Sequence, residues 1–368
     1  MKILNVIRSL ANGGAEKFVV ELSNELAKVH DVKLCSVKPV EAWMLPPKKI
    51  SPAVKLIELD YEKKYSFILF CKLFRLVKKV RPDVIHVHSS ILVFYFYILS
   101  IFFKKTLFLQ TVHNTITPGY MKLFRFLSIL RLANRDFLNV CISQSIFEQY
   151  SLAFPRLRFV HIDNGIEKLS VTEKIELTRQ EITGFKKDKS TKVFTAIGNY
   201  SSFKNFIMLA EAFKELEAAG CNLILLLIGG GRSCDQKNYA EVAGIKVANT
   251  FQLGLKDNVA DYLGCSDALI MSSTKEGMPL VVLEALSIGL PIVSTPAGGV
   301  MDMVEHGVNG VIANGFEKTD MIEAITAFLT LPDRQIREIK ENNLKKFAER
   351  FSIAQCAHRY IETAYIGH

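Results

Sequence analysis

Paired cysteines are missing from this chain. Its seven, Cys35, Cys71, Cys141, Cys221, Cys234, Cys265 and Cys356, form no C-x-x-C and no zinc spacing, and several stand inside apolar runs. An odd, unpatterned set argues against a disulfide framework or zinc module and predicts reduced thiols in the cytosol. A membrane-spanning stretch is missing too, since spanning takes about 20 apolar residues. The run ILVFYFYILSIFF at 91–103 has thirteen and follows DVIHVHSS, so it predicts a buried helix. No leader is expected before the first strand, ILNVI, which runs straight into a glycine loop. Recognition helices, zinc modules and RNP-like sheet motifs are absent, which argues against nucleic acid despite a net charge of +9. The glycines 229–231 have no third glycine in G-x-G-x-x-G spacing and no acidic strand end about 20 residues on, so a dinucleotide loop is not expected.

What is present begins with length and charge. At 368 residues and 49% hydrophobic, the chain suits two domains, each able to bury a core. Residues 1–168 hold 25 Lys and Arg against 13 Asp and Glu, whereas the remainder is slightly acidic. Within the basic half, FILFCKLFRLVKKVR and GYMKLFRFLSILRLANR interleave apolar residues with Lys72, Arg75, Lys78, Lys79, Arg81, Lys122, Arg125, Arg131 and Arg135. Such segments suit docking on an anionic bilayer, with Lys122, Arg125 and Arg131 facing the membrane; the same pattern also arises when the apolar face is core and the charges are its solvated rim.

The segment 275–293, KEGMPLVVLEALSIGLPIV, is the most informative. Pro279 suits a first helical turn, and Gly289 with Pro291 ends the helix. Glu284 then lies inside the helix and Glu276 on the loop before it, with free backbone N–H groups around Gly277, Met278 and Leu280. This arrangement suits a sugar nucleotide, whose diphosphate is flanked by hydroxyl-rich rings that carboxylates can grip. A bare E-x7-E also occurs on any exposed amphipathic helix. Here, however, the flanking VADYLGCSDALIMSSTKEG, PIVSTP, AGGV and DMVEHGVNGVI read as a βαβαβ series whose loops follow strand ends.

The segment 259–312 resembles the C-terminal half of family 4 glycosyltransferases. The likeness extends in order through MKILNVIRSLANGGAEKFVVELSNELAKVHDV, RPDVIHVHSS, LQTVHNT, VCISQSI, HIDNGIE, FTAIGNYSSFKNFIMLAEAF and NLILLLIGGGRS. It implies an α/β GT-B fold: two Rossmann-like domains facing across a cleft, with a C-terminal helix returning to the first. The domains are then 1–166 (acceptor side), with strands near 2–7, 32–37, 84–88, 107–112, 138–142 and 158–162, and 191–345 (donor binding). A polar connector covers 167–190 and the returning helix 346–368.

The resemblance also implies residue roles. Glu284 matches the glutamate on the ribose hydroxyls and Glu276 the one at the transferred sugar. Lys204 matches a diphosphate-binding lysine, while Asn199 stands where the family has arginine; Arg232 and Lys275 are neighbours able to compensate. Gly13 and Gly14 match the glycine loop near the diphosphate, though an ordinary tight turn would look the same. His113 matches the histidine near the transferred sugar. Gly230 and the FQLGLKDNV segment, with Leu253, fall near the base. His86 and His88 share a strand face but lack a third ligand, so they read as structural. No Asp-x-Asp metal pair is seen; Asp60 and Glu62 read as a solvated strand end.

The implied activity is metal-independent, retaining transfer of a hexosyl or N-acetylhexosaminyl group, with no cofactor. The donor is a nucleotide-diphosphate sugar, UDP favoured over GDP, and the acceptor a hydroxyl of a membrane-associated, glycan or lipid-linked precursor, as in polysaccharide or lipopolysaccharide assembly. Peripheral association with the inner face of the cell membrane is expected. A sugar-nucleotide epimerase or hydrolase, and a non-catalytic donor-binding subunit, are the rivals.

Overall fold

The structure is a computed structural model that describes all residues except Asn12, 41–48, Lys64, Asn114, 117–118, Tyr120, Leu123, 126–136, 231–234, Lys246 and 366–368. The chain divides into two compact units: Met1–Glu167 with Arg350–His368, and Lys168–Glu349.

Unit 1 runs β1 (Lys2–Ile7), α1 (Gly14–Leu26), β2 (Asp31–Ser36), β3 (Lys55–Glu58), α2 (Phe67–Val80), β4 (Val84–Val87), α3 (Ser90–Phe102), β5 (Leu107–Val112), β6 (Phe137–Cys141), α4 (Gln144–Ala153) and β7 (Arg158–His161). The strands pair in parallel in the order β3-β2-β1-β4-β5-β6-β7. Central strands are buried along nearly their whole length because helices cover both sheet faces. Thus β4, VIHV, is buried at every position. Ser66 caps α2 by accepting from Ile68 N, and Leu69, Leu73, Leu76 and Val77 form its buried stripe. The apolar face of this helix is therefore core. The run 91–103 is indeed a helix, buried along Leu92, Val93, Tyr95, Phe96, Tyr97 and Leu99. Among the described residues no helix is long and apolar enough to cross a membrane.

Unit 2 runs α5 (Ile175–Phe185), β8 (Lys192–Ile197), α6 (Phe206–Ala218), β9 (Leu223–Ile228), α7 (Gln236–Gly244), β10 (Thr250–Gly254), α8 (Val259–Gly264), β11 (Ala268–Met271), α9 (Leu280–Ser287), β12 (Ile292–Ser294), β13 (Gly310–Ile312), α10 (Lys318–Leu329) and α11 (Asp333–Lys346). Its parallel order is β10-β9-β8-β11-β12-β13. Aromatic and aliphatic residues of α6 and α10, including Phe206, Phe213 and Phe328, close one face against β8 and β9.

The stretch 167–190, expected as an exposed connector, is mostly exposed but contains α5, and from Lys168 on it belongs to unit 2. Only Thr178 and Ile182 of that helix are buried, so its apolar signal is faint. Polar contacts supplement it: Asn258 Nδ2 donates to Thr178 Oγ1 at 2.8 Å, and the Tyr262 hydroxyl donates to Glu181 at 2.5 Å.

After α11 the chain returns to unit 1 through α12 (Ile353–Arg359). Ile166 N donates to Phe351 O at 3.0 Å and Ile353 N to Ile166 O at 2.8 Å. Asp163, almost fully buried, accepts from Arg350 Nε at 2.8 Å and Arg359 Nη1 at 3.1 Å, and His161 Nε2 lies 3.0 Å from it. Burial works to raise the Asp163 carboxyl, and hydrogen bonds from His161 and Arg350 overcome it, holding the pKa at about 2.

Candidate active site

Parallel sheets bind ligands beyond the carboxyl ends of their strands, where the strand order reverses. In unit 2 the chain builds outward from β8 to β10 and then returns to place β11 on the other side of β8. The reversal therefore lies between the loops that follow β8 and β11. These loops are tied together: Thr274 N donates to Phe203 O at 2.8 Å and Ser272 Oγ to Lys204 O at 2.7 Å. Across the join, Lys204 Nζ donates to Glu276 Oε1 at 2.6 Å, and Ser273 Oγ donates to the same oxygen at 2.7 Å. Both side chains of the ion pair keep some access to water.

The loop after β12 completes the arrangement. Thr295 Oγ1 donates to Ser273 O at 2.6 Å, and Gly299 N donates to Glu276 O at 3.3 Å. A methyl group on Gly299 would overlap the Gly277 carbonyl oxygen, and one on Gly298, at φ +47°, would overlap that of Glu276. Only glycines let these backbones touch. From this platform α9 begins with Pro279 as its cap. Over 281–287 every residue is buried except Glu284, which is left partly exposed. Gly277 is also partly exposed, whereas Met278 and Pro279 are buried.

In unit 1 the reversal lies between β1 and β4. Gly13 caps α1, and Gly14 opens it, in the loop after β1. A Cβ on Gly13 would overlap Oε2 of Glu16, whose carboxyl folds back over the loop; burial raises its pKa. Beside this loop three imidazoles gather. His86 Nδ1 lies 3.0 Å from the Tyr365 hydroxyl, and its Nε2 lies 2.7 Å from Thr111 Oγ1, itself 2.9 Å from the Tyr360 hydroxyl. His88 lies against His86 with ring centroids 3.9 Å apart and planes tilted by 37°, and both His88 and His113 meet the Phe18 ring edge-on. Neither His88 ring nitrogen, nor Nε2 of His113, has a hydrogen-bond partner among the described residues. Burial depresses all three pKa values, that of His113 to about 4, so the rings are neutral at pH 7. Among the described residues no cluster of three His, Cys, Asp or Glu could hold a metal ion.

Two family models match the chain: glycosyl transferases group 1 over residues 178–350 and glycosyltransferase family 4 over residues 12–168. The chain belongs to the family 4 glycosyltransferases. It is 25% identical to the N-acetyl-alpha-D-glucosaminyl L-malate synthase of Bacillus anthracis, over 82% of this chain and 79% of that one. With the UDP-Gal:alpha-D-GlcNAc-diphosphoundecaprenol alpha-1,3-galactosyltransferase of Escherichia coli it shares 24% identity over 77% of this chain and 75% of that one. In fold it resembles Anabaena HepE crystallised with UDP and glucose, at a TM-score of 0.81 and 21% identity, with 99% of each chain covered.

In this glycosyltransferase Lys204 and Glu276, expected on different parts of the donor, contact each other directly. Asn199 is exposed in the same loop as Lys204. Gly230 follows β9, and Leu253 sits at a bulge of edge strand β10, where the register slips between Gln252 and Gly254. Lys122 and Arg125 are exposed, while Arg131 and Arg232 lie outside the described residues. Asp60 and Glu62 are exposed, Glu62 pairing with Lys38 at 3.1 Å. Sequence reading passed over Ser273, Glu16 and the Gly298–Gly299 crossing. Their only signals were a serine three residues before a glutamate, a glutamate two after a glycine pair, and a second glycine pair following a strand.

Proposed function

We propose that this glycosyltransferase moves a hexosyl or N-acetylhexosaminyl group from a nucleotide-diphosphate sugar to a hydroxyl of a membrane-associated glycan precursor, with retention and without a metal. The observation that carries the reading is the Lys204–Glu276–Ser273 constellation at the strand-order reversal of unit 2. There the Lys204 ammonium takes the charge of the diphosphate and Glu276 is released to accept from sugar hydroxyls. Glu284 accepts from the ribose hydroxyls, and the bulged backbone around Leu253 reads the base. The anomeric carbon–phosphate oxygen bond breaks as the acceptor oxygen bonds to that carbon, and the acceptor's proton passes to the departing phosphate. His113, buried and held neutral, matches the family histidine associated with the transferred sugar. A UDP donor is supported by the UDP and glucose bound to HepE and the UDP-Gal named for the Escherichia coli relative.

Calorimetric titration of the purified chain with UDP- and GDP-sugars tests this reading. Saturable binding of a UDP-sugar, weakened at least tenfold by Glu284→Ala, is expected; equal affinity in the variant removes Glu284 from the site. Asn199, in the position of a family arginine, favours a second reading in which the chain holds the donor without transferring it. Tight donor binding with no turnover over a panel of lipid-linked acceptors would select that reading.

A further inference from the structure

Most exposed apolar side chains of this protein stand singly, as is usual on protein surfaces. Leu152, Leu177 and Leu255 are of this kind. One group differs. At the start of α2, Tyr65, Phe67 and Ile68 are 70%, 78% and 60% exposed, and at the end of α3, Phe102 is 61% exposed. A row of rings joins the two places: Phe67 to Phe70 at 6.1 Å, Phe70 to Phe74 at 6.3 Å, and Phe74 to Phe102 and Phe103 at 5.9 and 5.1 Å. Phe67, Phe70 and Phe74 follow one another along a single helical line, and Lys78 is one turn further on that line. Phe70 and Phe74 are half-buried and pack against the core beside the stripe of Leu69, Leu73, Leu76 and Val77, so the ridge is exposed at its two ends, Phe67 with Ile68 and Phe102.

Along α2 and at the end of α3 the exposed charges have one sign, while Asp60 and Glu62, the latter paired with Lys38, stand before Tyr65. Arg75, Lys78 and Lys79 are exposed on α2, and exposed Lys104 and Lys105 directly follow Phe103. Between residues 66 and 105 the only acid is Asp83, which accepts from Lys2 N. A second copy meeting this surface across a two-fold axis would bring cation against cation. An anionic lipid surface complements both parts: aromatic rings settle at the headgroup boundary while lysines and arginines meet phosphates.

We propose that the ridge Phe67–Phe70–Phe74–Phe102, with its basic rim, is the surface by which the protein docks on an anionic bilayer, in place of the segment carrying Lys122 and Arg125. Of that segment's described residues, Phe124 is buried against Tyr150, Phe154 and Phe159. The proposal is independent of the transfer reading, because a chain that never turned over sugar would dock in the same way.

Co-sedimentation with vesicles of phosphatidylcholine, alone or with about one-third phosphatidylglycerol, tests it. The wild type should pellet with the anionic vesicles and progressively less as salt rises. The triple variant F67S/I68S/F102S and the charge variant K104E/K105E should each lower the bound fraction at least tenfold, whereas K122E/R125E should leave it unchanged. All the altered residues are exposed, so thermal midpoints and nucleotide-sugar affinity should hold, and this separates loss of docking from failure of the donor site. The proposal is overturned if the wild type ignores anionic vesicles, if the triple variant binds as the wild type does, or if only K122E/R125E releases the protein. It is equally overturned if the triple variant halves the mass measured by light scattering, since the ridge would then join two copies.

Discussion

The two units reverse strand order in the same way yet place opposite chemistry at the reversal. Between β8 and β11 stand a lysine and a glutamate that are partly wet, linked to a buried serine. Beside the reversal of unit 1, at the ends of β4 and β5, stand three imidazoles among aromatic rings, two of them with nitrogens left unpaired among the described residues. Seven of the eight histidines fall within unit 1, and only His306 lies in unit 2. The same topology can therefore present a charged, exchangeable contact or a dry, neutral one, depending on whether the strand-end loops are polar or packed beneath helices.

Removing the charge from unit 2 should produce the largest effect. Lys204→Met is expected to lower sugar transfer roughly 100- to 1,000-fold, the usual cost of deleting one preorganised donor at developing negative charge. Wild-type turnover in a steady-state assay would end the comparison. Next comes the clamp on the returning segment of unit 1. Asp163→Ala should cost roughly 2–3 kcal/mol in urea unfolding, less than a fully buried pair because both arginines keep some access to water.

Acid should separate the units further. The folded imidazoles are depressed below their unfolded pKa of about 6.5, so their contribution is complete above that value and is lost as pH falls through it toward the folded value, about 4 for His113. Between pH 7 and 5.5 unit 1 should lose about 1 kcal/mol from His113 alone. Hydrogen exchange, corrected for intrinsic rates, should then quicken in β4 and β5 and hold steady in β9 and β11; uniform change in both sheets would erase the distinction. Smallest is Tyr365→Phe, which takes a hydroxyl from His86 and should cost about 1 kcal/mol, visible as a thermal midpoint a few degrees lower.

Much of this architecture was legible because the central strands announce themselves. Runs such as LILLLI and VIHV, bounded by polar loops, end within a residue or so of where periodicity and turn residues put them. The helix carrying Glu284 was legible too, from Pro279 before it and Gly289 after it. Helix α5 was not, because two buried residues in eleven leave hardly any pattern, and its anchoring depends on distant Asn258 and Tyr262. The hold of Arg350 on Asp163 spans 187 positions and leaves no local trace. The pairing of Lys204 with Glu276 is of the same kind: each residue stood out in sequence, but their contact depends on two loops crossing at neighbouring strands. The aromatic ridge was half legible. The basic and apolar mixture of α2 was plain, yet which phenylalanines face inward is decided by packing against α3.

Because unit 1 is stitched from segments on either side of unit 2, a ribosome delivers everything unit 2 needs before it delivers the residues that close unit 1. Until Tyr360 and Tyr365 emerge, His86 has no hydroxyl from the returning segment, and Asp163 waits for both of its arginines. The nascent protein should thus complete its second unit before its first, so the segment made after unit 2 acts as the latch.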